Sequence, residues 1–66
     1  MTIKDLKRGD LFYTAADYAK HGDNEKYLRI RDDYDHSTKK YYCPRLTVDA
    51  LGCGRSYPGN TEIVVI

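Results

Sequence analysis

Apolar positions in this chain fall into short clusters, each closed off by turn-forming residues. Gly9-Asp10, Gly22-Asp23-Asn24, Asp32-Asp33-Tyr34-Asp35, Gly52 with Gly54, and Pro58-Gly59-Asn60 supply the punctuation. Between them lie runs rich in Tyr, Ile, Val, Leu and Phe. Short strands at close spacing, separated by turn chemistry, predict a small and mostly antiparallel β-protein. The pattern places strands at residues 10–14, 26–32, 39–46, 54–57 and 61–65. Between the first two, "AADYAKHG" carries helix-forming alanines and ends in Gly22, a residue suited to closing a helix. One short helical turn is expected there, too brief to stand without tertiary support.

Alternation then assigns faces. In "KYLRIRD", Leu28 and Ile30 share one side, and Tyr27, Arg29 and Arg31 the other. Burying the first pair turns the second set into a solvent-facing row. In "TEIVVI", Ile63 and Val65 share a side and Val64 and Ile66 the opposite one, which suggests a strand covered on both faces. The expected core is Ile3, Leu6, Phe12, Leu28, Ile30, Tyr41, Cys43, Leu46, Ile63 and Val65. Five short strands must curl to bury so small a set, so the expected fold is all-β in the main, a five-stranded SH3-like barrel. A chain of 66 residues makes this a single domain over residues 1–66.

Composition sharpens the picture in two places. Seven tyrosines stand against one phenylalanine, and tyrosine can roof a small core while its hydroxyl stays wet. Eleven Lys and Arg against ten Asp and Glu leave a net charge of +1, which creates no global field for nucleic acid. No apolar run approaches the ~18 residues that span a bilayer, and "MTIKDLKRGD" lacks the apolar stretch of a secretory signal. A cytoplasmic protein without membrane contact is expected, with reduced cysteines.

Arg8-Gly9-Asp10 spells the tripeptide read by adhesion receptors, yet its setting, "LKRGDLFY", reads as a turn. Leu6 can dock on the core, Gly9 supplies a permissive backbone, Asp10 can bond to local amides, and Phe12 begins a strand. With no secretory leader, no dense disulfide framework and hydrophobic residues following directly, the turn is the expected reading. The Leu6, Gly9, Asp10 and Phe12 pattern, the strand "YYC" and the ending at Thr61, Glu62 and Ile63 resemble small uncharacterised β-barrel proteins of bacteria and their phages. The resemblance implies an SH3-like fold and a phage or mobile-element origin, and it carries no catalytic residues.

Chemical motifs are thin. "RDDYDHST" gathers Asp32, Asp33, Asp35 and His36, but lacks the bend glycine and distant Glu of a calcium loop. A hairpin loop with Asp bonded to backbone amides accounts for it. Cys43 and Cys53 would have to recruit His21 and His36 from distant loops to make a four-ligand zinc site. A disulfide between them is conceivable in geometry, and free thiols acting as small apolar residues are preferred over it. Cys43 or Ser56 could be paired with a histidine only without an oxyanion hole or an orienting carboxylate. Gly52-Cys53-Gly54 lacks the lysine and helix of a phosphate loop. No catalytic residue, no metal site and no cofactor are therefore expected, and the protein is read as not an enzyme.

What remains is basic and aromatic interleaving. The candidate binding surface comprises Tyr27, Arg29, Arg31, Lys40, Tyr42, Arg45, Arg55 and Tyr57. Small barrels that bind single strands combine stacking aromatics with cations that follow phosphates. Exposed β-faces also carry Tyr, Lys and Arg for strand propensity and for cover of apolar surface, and Asp32, Asp33, Asp35 and Asp49 would blunt the field. The expected function is a binding or structural module engaging a protein partner, as a monomer or weak homo-oligomer. Single-stranded nucleic acid is the alternative partner.

Overall fold

The computed structural model describes residues 1–46 and 54–65. Asp49, Gly52, Cys53 and Ile66, on which sequence expectations fall, lie outside these residues. The chain begins in a 3-10 turn, Ile3–Asp5, that buries Ile3 completely. The Asp5 carboxylate accepts from the Thr2 backbone N–H and hydroxyl, each at 3.0 Å. These bonds hold the Asp5 carboxyl below its ordinary value of 3.8.

A turn at Lys7–Asp10 then feeds strand β1 (Leu11–Thr14). Asp10 N–H donates to the Lys7 carbonyl at 3.0 Å, and Lys7 N–H donates to the Asp10 carboxylate at 2.8 Å. Gly9 takes φ +97°, a left-handed conformation that a side chain would strain. The Arg8-Gly9-Asp10 tripeptide is thus the turn that its setting predicted. Arg8 reaches back to Asp33 at 2.6 Å and Asp32 at 3.5 Å.

Helix α1 (Ala15–His21) follows directly, in the expected segment. Thr14 caps its start by accepting from Asp17 N–H at 3.2 Å. Gly22 ends it at φ +67°, donating its N–H to the Tyr18 carbonyl at 2.8 Å. A second 3-10 turn, Glu25–Tyr27, takes up the start of the expected second strand, capped where the Asn24 side chain accepts from Lys26 N–H.

What remains of that strand is β2 (Arg29–Ile30), and a further strand, β3 (Tyr34–Asp35), forms where the sequence read as a turn at residues 32–35; both lie along β4 (Lys40–Cys43) and its extension. Leu46 N–H donates to Leu28 O, Ile30 N–H to Pro44 O, and Asp32 N–H to Tyr42 O, while Tyr42 N–H donates to Asp33 O. Asp32 and Asp33 together stand opposite the single residue Tyr42, which is a β-bulge. The extra residue explains why alternation could not run unbroken through this stretch. At the far end, Asp35 accepts from Ser37 N–H at 2.9 Å and its hydroxyl at 2.7 Å, the hairpin loop expected there, with Lys39 left-handed at φ +57°.

Strands β5 (Arg55–Pro58) and β6 (Ile63–Val65) complete two three-stranded antiparallel sheets, ordered β2-β1-β6 and β3-β4-β5. The fold is therefore mainly β with one short helix. Ile3, Phe12, Cys43 and Ile63 form the buried core, with Leu6, Tyr41 and Tyr57 packed against it. Two expected core residues are exposed: Leu46, in a turn past the end of β4, and Val65, last in an edge strand covered on one side. Leu28 and Ile30 are only half-buried. Among the described residues, no helix is long and apolar enough to cross a membrane.

Candidate binding surface

The pairing register decides where the arginines go. Phe12 lies opposite Arg29, and directly opposed residues share a face of the sheet. Arg29 is thereby placed on the Phe12 side and is 7% exposed, where alternation alone had put it in water. A shift of one residue inverts every inside–outside assignment, and only the partner strand sets it. The Arg29 guanidinium donates to the Cys43 carbonyl at 2.8 Å, lies 5.1 Å from the Tyr57 ring centroid, and approaches Asp17 of α1 at 3.9 Å. It ties the two sheets and the helix together. Burial raises the Tyr57 phenol above its ordinary value of 10.0, with the Arg29 cation pulling the other way.

Arg31 and Arg45 repeat the motif. Arg31 stands 4.5 Å from the Tyr41 ring centroid and donates to the Asp32 carbonyl at 2.7 Å. Tyr41 in turn meets Tyr34 at 4.6 Å. Arg45 lies 5.8 Å from the centroid of Tyr27, whose ring also stacks flat on His21 at 3.9 Å. Each of these arginines is spread over a tyrosine of its own chain, a contact worth about 0.5–2 kcal/mol depending on burial.

The other candidates separate. Tyr42 accepts from Gly54 N–H at 3.0 Å, and a Cβ on Gly54 would come within 2.7 Å of the Pro44 Cα. Glycine is required there so that the two backbones can approach. Lys40 shares a face of the sheet with Tyr42, whereas Arg55, opposite Cys43, and Tyr57, opposite Tyr41, belong to the other. The eight residues do not assemble into one face.

Cys43 is a buried free thiol, pushed up to about 11 by burial and so held protonated and unreactive at neutral pH. Among the described residues, no group of three or more His, Cys, Asp or Glu side chains is arranged to hold a metal ion.

A different concavity lies where α1, the segment after it and β6 meet. It is a cleft of about 370 Å³ lined by Tyr13, Tyr18, Asp23, Glu25, Leu28 and the Val64–Val65 pair. Tyr13 is 6% exposed, donates its hydroxyl to the Asp23 carbonyl at 3.0 Å, and stacks on Tyr18 at 5.7 Å. None of these residues stood among the candidate binding residues, Leu28 and Val65 having been expected in the core. The signal present in the chain was a pair of tyrosines flanking the Thr14 cap, with carboxylates just beyond Gly22. Comparison with family models, with curated proteins and with solved structures finds no match to this chain.

Proposed function

We propose that this domain is a non-enzymatic binding or structural module that engages a protein partner, built as one SH3-like barrel. The barrel reading is supported by a continuous hydrogen-bonded path. It runs from β6 through β1 and β2, across the ladder between residues 28–33 and 42–46, to β4 and β5. Ile3 N–H donates to Thr61 O and Lys4 N–H to Gly59 O, joining the N-terminus to the turn between β5 and β6.

The choice of partner rests on a single observation, the placement of Arg29, Arg31 and Arg45 over tyrosine rings of the same chain. A single-strand surface needs ring faces open to bases and cations open to phosphates. In this domain those groups largely occupy each other, and Lys40 and Arg55 sit on opposite faces of one sheet. Fluorescence titration with short single-stranded DNA at two salt concentrations tests the reading, with affinity purification from the source cell before and after nuclease. The expected result is only non-specific binding, with Kd no tighter than about 10⁻⁶ M and lost as salt rises, and a protein recovered despite nuclease. Tight single-strand binding that falls in an Arg31→Ala/Arg55→Ala variant overturns it in favour of nucleic acid.

A further inference from the structure

The cleft between α1 and β6 has walls of definite chemistry. Its aromatic side is held in place, because Tyr13 is buried, bonded through its hydroxyl to Asp23 O, and stacked within 19° of the Tyr18 plane. Leu28 and Val64 supply an apolar surface, and Val65 stands 44% exposed beside it. Asp23 and Glu25 line the same space, and among the described residues no Lys, Arg or His does. Burial raises the Tyr13 phenol above 10.0, and the Asp23 and Glu25 charges add to it. The nearest histidine in sequence, His21, is stacked on Tyr27, and Lys26 is exposed on the 3-10 turn.

An aromatic face, an apolar floor and two carboxylates match a side chain with an aliphatic stem and a cationic head. The volume of about 370 Å³ lies at the small end of the ~300–1,000 Å³ range of ligand sites. That suits one or two side chains. We propose that this cleft receives a lysine or arginine of a basic segment in the protein partner, its stem on Leu28 and Val64 and its head between the Tyr18 ring and the Asp23 and Glu25 carboxylates. The proposal rests on the protein-partner reading and specifies the chemistry of that partner.

The test uses a capped Gly-Leu-Lys-Leu-Gly peptide and its acetyl-lysine counterpart, titrated into the isotope-labelled protein and followed by NMR. The expected result is saturable shifts at Tyr13, Tyr18, Leu28 and Val64, with affinity about tenfold weaker for the acetylated peptide. An Asp23→Asn/Glu25→Gln variant should weaken the lysine peptide by a similar factor while keeping a folded spectrum, since both side chains are exposed. Tyr18→Leu, which removes the ring, should bind more weakly than Tyr18→Phe, which keeps it. Equal binding of both peptides, shifts centred elsewhere, or no shifts at millimolar peptide would overturn the assignment. If a nuclease-resistant partner binds the Asp23→Asn/Glu25→Gln variant as well as the parent, the cleft is excluded and the protein-binding reading stands. Recovery that depends wholly on nucleic acid removes that reading itself.

Discussion

Two tyrosine-rich regions of this molecule use the same side chain in opposite ways. Around the sheet junction, Tyr57, Tyr41 and Tyr27 are each faced by an arginine from the same chain. In the cleft beside α1, Tyr13 and Tyr18 are stacked on each other and accompanied by Asp23 and Glu25. The first arrangement consumes its cations and contributes to stability. The second presents aromatic and negative groups together, so a cation from outside can complete it. Tyrosine count is therefore a poor guide to a binding face; what matters is the charge the fold sets beside each ring.

The largest expected effect lies at the junction. Arg29→Met would remove the cation over Tyr57 and leave the Cys43 carbonyl and Asp17 without their partner. Taking one member from a buried charged cluster costs about 3 kcal/mol. A domain of this size holds only ~3–10 kcal/mol in total. Thermal denaturation should show a fall of roughly 15 °C, and a Tm within a few degrees of the parent would mean that the arginine is not a tie. The Asp23→Asn/Glu25→Gln variant of the cleft should stay within about 0.5 kcal/mol of the parent.

Cys43 offers a pH-dependent test of the same junction. Its thiol is raised from 9.0 to about 11 by burial, so the neutral form is the one the fold favours. Stability gained in this way is complete below pH 9 and is lost as pH climbs toward 11, a tenfold change in acidity being worth about 1.4 kcal/mol. Tyr13 and Tyr57, both raised above 10.0, lose stability over an overlapping range. Denaturant melts of Cys43→Ala and its parent separate the thiol, and their difference should shrink between pH 9 and 11. A constant difference would show that burial of the thiol is not maintained in solution.

Gly54→Ala probes the anchoring of Tyr42. The added methyl would meet the Pro44 backbone at 2.7 Å and the Tyr42 hydroxyl at 2.9 Å, an overpacking that costs about 1–3 kcal/mol. Urea melts should show it, whereas Tyr42→Phe should lose about 1 kcal/mol for the single hydrogen bond. The smallest effect is on the acid side. Asp5 and Asp35 are held below 3.8 by bonds from Thr2 and Ser37, so their contributions are present above that pH and vanish as pH falls through the lowered values. Asp35→Ala should flatten the acid limb of the stability profile while leaving binding by the cleft unchanged.

Local chemistry was legible in the sequence wherever neighbours along the chain sufficed. Gly9 and Asp10 read as a turn, Gly22 as a helix end, and Asp35 as a carboxylate bonded to nearby amides, because each acts within about four positions. Ile3, Phe12, Cys43 and Ile63 were visible as core residues, since apolar groups in so short a chain have few other places to go. What alternation could not supply was register. It placed Leu28 and Ile30 inside and Arg29 outside, whereas pairing with Phe12 buried Arg29 and left Leu28 and Ile30 half-buried. The bulge at Asp32 and Asp33, in a stretch that read as a turn, was hidden for the same reason, since a bulge exists only relative to the strand it opposes. The cleft depends further on how α1 lies against β6, a juxtaposition of residues some fifty positions apart. Side-chain period and turn chemistry are properties of the chain; which ring meets which charge is decided by strand pairing, and only the folded molecule contains it.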